Sequence, residues 1–172
     1  MTKKRKTTLI LCAALLLAAV VWVFAADRIG VPWNSLEADA RASQQVPDSW
    51  SAVADAGEHL AGIIFYPETP EPGHEDQHIF SIYGKNGWTY YGGFFRGGGS
   101  LGSIGLRIAV YEEDGERVYL SMNAQGAHKA VFADGWTVPL AENQPFVLAV
   151  PQESGEATFY DTEDNVLEVD RM

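Results

Sequence analysis

The sequence from Ile79 to Phe95 reads IFSIYGKNGWTYYGGFF. Two runs rich in β-branched and aromatic residues, 79–83 and 88–95, flank the tetrapeptide at 84–87. The Asn-Gly pair in this tetrapeptide accepts the positive φ angles of the primed turns that join hairpin strands. We therefore predict a β-hairpin here, and we expect the chain around it to be organised as sheet.

The residues on either side of this hairpin continue the pattern of short strands. Leu60 to Tyr66 is an apolar run typical of a buried strand, whereas three prolines place 67–73 in an exposed acidic loop. Further strands are expected at 106–111, 118–122, 130–132, 136–140, 146–150, 157–160 and 166–169. About nine short strands with little helix predict an all-β domain, either an antiparallel β-sandwich or a small barrel.

The first 26 residues have a different composition. Four cations at 3–6 precede an uncharged run, in which positions 9–26 hold 18 apolar residues in succession. A helix of that length rises roughly 27 Å, close to the thickness of the hydrocarbon core of a bilayer. Cations at its start keep that end in the cytoplasm. We expect residues 1–26 to be a transmembrane or signal helix that places the rest of the chain outside the cytoplasm.

Two interpretations of this N-terminal segment remain open. A signal peptide would be cleaved near Ala25 or Ala26 and would release a secreted protein. An uncleaved anchor would leave a single-pass protein in the cell membrane, with its C-terminal domain outside. The apolar run is longer than the usual signal-peptide core of about 7 to 15 residues. Trp22 and Phe24 also lie where aromatic rings suit the membrane interface, so these features favour the anchor.

Residues 27–57 lack a sustained hydrophobic period. The stretch from Ser35 to Ala42 is helix-prone, with Ser35 as a candidate N-cap. Asp48 begins another short helical stretch, which Gly57 would end. We expect 27–57 to be a stalk with short helices, followed by an extracytoplasmic β domain over 58–172.

The charges are distributed unevenly along the chain. All 23 acidic residues but only 8 of the 12 basic residues follow Ala26, which gives that part a net charge of −15. Because phosphate groups would be repelled, we expect no nucleic-acid partner. Solubility accounts for this charge by itself, and a cationic partner or weak calcium binding is also compatible with it.

A glycine-rich stretch follows the hairpin. The sequence from Gly97 to Gly102 satisfies both G-x-G-x-x-G and G-x-S-x-G, with Ser100 in the serine position. The first pattern binds phosphate, and the second presents a nucleophile, only at a strand-to-helix turn. The residues that follow alternate like a strand, so we interpret the stretch as a connection between hairpins. A small envelope hydrolase that uses Ser100, with Asp114 and His128 after it in the chain, remains an alternative.

The histidines and a C-terminal acidic loop are the candidate metal ligands. His74 and His78 are four residues apart, a spacing that serves one metal ion on a helix, but the preceding prolines favour a loop. His59 or His128 would have to supply a third ligand. The loop at 161–165 lacks the glycine and the final glutamate of an EF-hand. We therefore expect no metal and no cofactor, and we keep a His-based metal hydrolase as an alternative.

Aromatic residues crowd the central hairpin and are the feature that most favours binding. Ring faces bury a large area at small entropic cost, so an exposed row of them could stack on a sugar ring or a peptide side chain. Period-two spacing puts Trp88, Tyr90 and Phe94 on one face of the second strand. The candidate ligand-binding residues are Trp88, Tyr90, Tyr91, Phe94, Arg96, Gly98, Gly99 and Ser100.

The sequence contains no coherent catalytic set. We therefore expect a non-catalytic binding or interaction module of the cell envelope, with a protein or carbohydrate partner. The alternatives are the small envelope hydrolase and a structural accessory subunit of an envelope complex. An accessory subunit would present a large apolar patch without a groove.

Overall fold

The computed structural model describes residues 12–21, 30–73, 75–86, 90–99 and 103–172, and the side chains of residues 86, 90–99 and 103 lie outside this description. Residues 12–21 form a helix, α1, in which every residue is exposed. The other residues of the predicted membrane run, 9–11 and 22–26, lie outside the described ranges. Within those ranges, none of the helices has both the length and the apolar composition that crossing a bilayer requires.

The first sheet is built from the N-terminal half of the domain and carries one helix. Its strands lie in the order β1-β5-β4-β3-β2, and all of its pairs are antiparallel. The pairing of the two strands of the central hairpin is confirmed, because β4 and β5 pair from His78↔Gly99 to Asn86↔Tyr90. The predicted position of its turn is wrong, since residues 84–86, which we expected in the turn, belong to β4 and pair with residues 90–92. The elements are β1 (Val31–Pro32), α2 (Trp33–Gln44), β2 (Trp50–Ala56), β3 (Leu60–Pro67), β4 (His78–Asn86) and β5 (Tyr90–Gly99).

Two smaller sheets follow a short helix. The second sheet has the order β10-β7-β6-β12, and the third has the order β11-β8-β9. Asp114 and Gly115 turn the chain between β6 and β7 with positive φ angles of 50° and 80°, a conformation that an Asp-Gly pair readily adopts. The elements are α3 (Ser103–Leu106), β6 (Ile108–Glu113), β7 (Glu116–Ser121), β8 (Lys129–Val131), β9 (Thr137–Pro139), β10 (Phe146–Pro151), a 3₁₀ turn (Gln152–Ser154), β11 (Thr158–Tyr160) and β12 (Val169–Arg171).

Three apolar cores hold these elements in layers. The first core joins α2 to one face of the first sheet, where Leu36 packs with Phe65 and Tyr83. The second core joins the other face of that sheet to the second sheet, and the third core joins the second sheet to the third. A Cβ at Gly62 would lie 2.7 Å from Val118, which shows how closely the first two sheets approach. The domain is therefore mostly β and sandwich-like in its stacked sheets.

The strand count and one strand direction differ from the expected pattern. The described residues form twelve strands, whereas we expected about nine. Strands such as β1, which has two residues, are too short to show a period-two pattern in the sequence. β12 pairs with β6 in parallel, from Val169↔Ile108 to Arg171↔Val110, whereas we expected antiparallel pairing throughout. Period-two alternation identifies a strand but carries no information about the direction of its neighbour.

Two segments that we expected to lie outside the sheets belong to them. Residues 27–57 were expected to form a stalk, but Leu36 and Ala40 of α2 are buried on the first sheet and β2 is its edge strand. The stretch 97–100 was expected to be a connection, but β5 continues to Gly99. Glycines leave no side-chain pattern, and the alternating alanines of β2 resemble a helix, so neither strand is visible in the sequence.

Candidate functional site: the β2 edge and its two grooves

Glu116, the first residue of β7, is a charged side chain held inside the domain. It is only 2% exposed. Its carboxylate accepts hydrogen bonds from the backbone N–H groups of Glu58, His59 (2.8 Å) and Leu60 (2.6 Å) in the turn between β2 and β3. A Cβ at Gly57 would lie 2.6 Å from this carboxylate and would displace it. Glu116 therefore fixes the β2–β3 turn against the second sheet.

An open groove of about 470 Å³ lies beside this turn, and we call it the turn groove. It is lined by residues 57–59 of the β2–β3 turn, by 114–116 at the β6–β7 turn, and by 151–153 after β10. Glu58, Asp114 and Glu153 are exposed carboxylates on its wall, and its lining contains no lysine or arginine. The groove is therefore a concave acidic surface at the end of β2.

A second open groove of about 380 Å³ lies at the beginning of β2, and we call it the loop groove. It is lined by Ser49 and Trp50, by the loop residues 67–69 and Glu71, and by Gln77. Ser51 donates a hydrogen bond from its hydroxyl to Glu68, which holds the loop against the strand. This groove is also acidic, because its lining contains two glutamates and no basic residue.

β2 runs between the two grooves along one edge of the first sheet. At its beginning, Arg41 of α2 donates hydrogen bonds to the carbonyl oxygens of Trp50 (2.8 Å) and Pro47 (3.2 Å). At its end, the Asp55 carboxylate accepts hydrogen bonds from the N–H of Ala149 in β10 and from its own neighbour in the chain, both at 2.9 Å. The strand is thus anchored to the domain at both ends.

The predicted aromatic site falls mainly outside the description. Trp88 and Ser100 lie outside the described residues, and for Tyr90, Tyr91, Phe94 and Arg96 only the backbone is described. That backbone lies in β5, between β4 and β1. Gly98 and Gly99 pair with Ile79 and His78, so their backbone belongs to the ladder of the sheet instead of an open ligand-binding loop. The stacking hypothesis for these aromatic rings therefore stays a prediction.

His78 is the buried histidine next to this region. It is 3% exposed, its ring stacks on Phe80, and its Nδ1 donates a hydrogen bond of 2.8 Å to the backbone oxygen of Asp76. Burial lowers the pKa of His78, while the hydrogen bond to the Asp76 carbonyl and the Asp76 charge oppose this shift. Its register partner Gly99 is the residue before Ser100. The His78 imidazole is thus buried in the strand that pairs with the end of β5.

The described residues contain no group of three or more His, Cys, Asp or Glu side chains that could hold a metal ion. His74 lies outside the described ranges, and His128 contacts the backbone oxygen of Tyr160 at 3.1 Å through Nδ1. In the acidic loop, Asp161 accepts hydrogen bonds from the side-chain amide and the backbone N–H of Asn165 and from the backbone N–H of Glu163, and these bonds lower the pKa of Asp161. The loop is a hydrogen-bonded turn, as its sequence indicates.

A cavity of about 90 Å³ between the second and third sheets is lined by paired charges. Arg117 forms an ion pair of 3.2 Å with Glu112 and donates hydrogen bonds to the carbonyl oxygens of Gln152 and Gly155. Arg171 pairs with Glu156. The arginines and glutamates that line this cavity are paired with one another. We therefore interpret the cluster as a structural link between strands and not as a ligand site.

Sequence reasoning missed both Glu116 and the β2 edge. Glu116 is one acid among several in a hairpin, and its burial depends on a turn 56 to 58 residues earlier in the chain. Its place just before the apolar run of β7 at 118–120 is a weak signal, because Arg117 lies between them. The edge position of β2 follows from sheet order, which no local pattern contains.

Comparison with models of protein families, with curated proteins and with solved structures finds no match to this chain. The geometry alone therefore defines its class. It is a mostly β domain of three stacked sheets, with a packed helix on the first sheet and an acidic edge formed by β2 and the two grooves.

Proposed function

We propose that the chain is a bilayer-anchored, extracytoplasmic interaction module without catalytic activity. One observation carries the proposal: every residue of α1 is exposed, and none of them belongs to the three cores. Burying a large aliphatic side chain is worth about 1.5–3 kcal/mol, so an exposed apolar helix gains most from another apolar environment. The large exposed side chains of α1 are Leu15, Leu16, Leu17, Val20 and Val21.

The sequence around α1 supports a bilayer as that environment. The apolar run over 9–26 is long enough to cross the hydrocarbon core, and the cations at 3–6 orient it with the C-terminal domain outside. The proposal places the protein in the cell membrane as a single-pass protein, with a secreted form if the segment is cleaved.

The interaction role is supported by the surface that the domain presents. Two open acidic grooves and an edge strand form a concave, charged surface, which suits a protein partner and repels phosphate. A carbohydrate partner would instead use the predicted aromatic row at Trp88, Tyr90 and Phe94. Replacing these residues with alanine should weaken the binding of any partner that stacks on the rings, whether a sugar or a peptide side chain, and should leave binding at the acidic grooves unchanged.

Fractionation of cells that express the full chain tests the anchor. We expect the protein to stay in carbonate-washed membranes, with its domain accessible to protease from outside. Arginine at Leu15, Leu16 and Leu17 should release it, because charged side chains are costly in a bilayer. The matched control places arginine at the exposed α2 positions Asn34 and Ala38 and should remain in the membrane.

The N-terminal mass of the purified protein decides between the anchor and a cleaved signal peptide. A full-length chain dissolved in the cytosol would contradict the proposal.

The hydrolase alternative rests on the register that pairs His78 with Gly99, next to Ser100. A fluorophosphonate probe labels an activated serine covalently, so the full chain should remain unlabelled if the domain is non-catalytic. Labelling that disappears in the Ser100→Ala variant would establish the hydrolase instead. An accessory subunit would be recognised by stoichiometric co-purification with an envelope complex.

A further inference from the structure

The hydrogen-bonding groups of β2 alternate between β3 and the open side of the sheet. Gly57 donates its N–H to the Leu60 oxygen at 2.8 Å across the turn, and bonded and non-bonded positions alternate along an antiparallel pair. Pro67, which has no N–H, lies opposite Trp50, the first residue of β2. This agrees with the alternation, because Trp50 and Pro67 occupy a position without hydrogen bonds between the strands. The positions whose backbone groups point away from β3 are therefore Trp50, Ala52, Ala54 and Ala56.

Protein groups satisfy the two ends of this open side but not its middle. The carbonyl oxygen of Trp50 accepts a hydrogen bond from Arg41 at 2.8 Å, and the N–H of Ala56 donates a hydrogen bond to the Asp55 carboxylate at 2.9 Å. Between them, Ala52 and Ala54 receive no hydrogen bond on the open side from any described residue. Ala54 is exposed and Ala52 is half-buried, and each carries a single methyl group, so no large side chain of these two residues obstructs an added strand.

Most other edges of the described sheets are short or protected, although β1 pairs with only Tyr90 and Tyr91 and leaves residues 92–99 of β5 without a strand on that side. β1 has two residues and includes Pro32, and β9, β11 and β12 have three residues each. β10 is longer, but Asp55 takes the N–H of Ala149, and the strand ends at Pro151. Native proteins commonly protect edges in this way. β2 is an edge along its whole length, with seven residues that include no proline and no lysine, and it has an acidic groove at each end.

The charges at both ends of β2 select a partner. Seven strand residues extend roughly 20 Å, so one extended peptide would reach both grooves. We propose that the β2 edge binds an extended basic segment of a partner polypeptide by strand addition, with lysine or arginine side chains in the two grooves. This names the partner of the proposed interaction module and rests on that proposal. The exposed carboxylates in the grooves are Glu68, Glu71, Glu58, Asp114 and Glu153.

A second copy of the chain fits this edge less well. Two β2 strands paired about a two-fold axis would run antiparallel and would place the loop groove of one copy beside the turn groove of the other. Both grooves are acidic, so the two copies would repel each other there. The charge therefore favours a basic segment over self-association.

A fluorescent peptide of the sequence Lys-Thr-Val-Thr-Val-Thr-Val-Lys is the probe for this edge. Its binding to the full chain in detergent micelles is measured by fluorescence anisotropy at low ionic strength. One matched peptide replaces both lysines with glutamate, and another carries N-methyl groups on alternate amides, which removes ladder donors at unchanged charge. We expect only the unmodified lysine peptide to bind, with an affinity that falls as salt is added.

The Ala54→Pro variant tests the edge from the side of the protein. The Ala54 N–H does not pair with β3, so proline there should leave the sheet intact while it removes a donor and obstructs the edge. We expect binding to weaken about tenfold, the loss that follows when a pair of ladder hydrogen bonds is removed. The Ala54→Val control keeps the N–H and should bind normally. If the proline variant fails to fold, the N-methylated peptide still decides the question.

Three results would overturn the inference. The first is equal binding of the N-methylated or the glutamate peptide, and the second is no binding of the lysine peptide. The third is a dimer that disappears in Ala54→Pro, since a second copy would then occupy the edge. Fractionation separates this inference from the proposed anchor. A cytosolic chain that binds the lysine peptide would contradict only the anchor. A membrane-bound chain that does not bind the peptide would contradict only strand addition at the β2 edge.

Discussion

At the scale of single residues, Glu116 joins the first two sheets through one carboxylate. The Glu116→Ala variant would leave three N–H groups of the β2–β3 turn without this acceptor, of which that of Leu60 is buried and the other two are half-buried. We expect the free energy of unfolding to fall by roughly 3 kcal/mol, measured by urea denaturation. The exposed Glu153 offers a matched control, and Glu153→Ala should change stability little. Equal losses for both variants would mean that the hydrogen bonds to Glu116 make no specific contribution to stability.

His78 makes stability depend on pH. Its pKa in the folded protein lies below the ordinary value of 6.5, so the folded state binds fewer protons than the unfolded state. The stabilisation is complete above pH 6.5 and is lost as the pH falls below that value. We expect the urea midpoint to drop between about pH 7.5 and about pH 5.5, and to drop less in His78→Gln.

The exposed His59 provides the control for this pH dependence. His59→Gln should retain the whole drop, because its side chain lies in an exposed turn. Hydrogen bonds keep the pKa values of Asp161 and Asp164 below their usual value near 3.8, so these groups titrate outside the window. Identical profiles for the wild type and His78→Gln would contradict the assignment.

At the scale of elements, α2 is part of the domain and not of a stalk. Leu36 is 1% exposed and packs against β3 and β4, and Tyr83 donates a hydrogen bond of 2.9 Å to Asp39 of this helix. Leu36→Ala should lower the free energy of unfolding by about 2–4 kcal/mol, since removal of the leucine side chain leaves a cavity in the core. Asn34→Ala on the exposed face should have little effect. Both variants are compared with the wild type by thermal or urea unfolding of the full chain. If neither variant changed the stability, α2 would belong to a stalk outside the folded domain.

At the scale of the whole molecule, the second sheet joins the other two. Val118 packs towards the first sheet, whereas its neighbour Tyr119 packs towards the third. We therefore expect one cooperative unfolding transition. Phe159→Ala in the third sheet should lower stability by about 3–5 kcal/mol and should shift the near-UV and far-UV circular dichroism transitions together. Val166, which is 66% exposed, is the control position. Two separate transitions would show that the third sheet unfolds independently.

The sequence by itself determined the local features of this protein. The paired strands of the hairpin at 79–95 and the buried strand from Leu60 follow from β-rich runs of sequence, whereas the turn between β4 and β5 does not lie at the predicted residues 84–86. The turn at Asp114-Gly115 follows from residues that accept positive φ angles. These signals are local, because each depends on residues a few positions apart. The apolar run over 9–26 is also a local feature of the sequence, and the membrane anchor that it predicts stays a prediction that the fractionation experiment tests.

Only the tertiary structure decided how these elements combine. The parallel β6–β12 pair, the inclusion of α2 and β2 in the first sheet, and the burial of Glu116 all depend on contacts between residues far apart in the chain. The same holds for the β2 edge, because a strand becomes an edge only through the order of its neighbours. Side-chain periodicity records which face of a strand is buried, but it contains no record of which strand lies beside it.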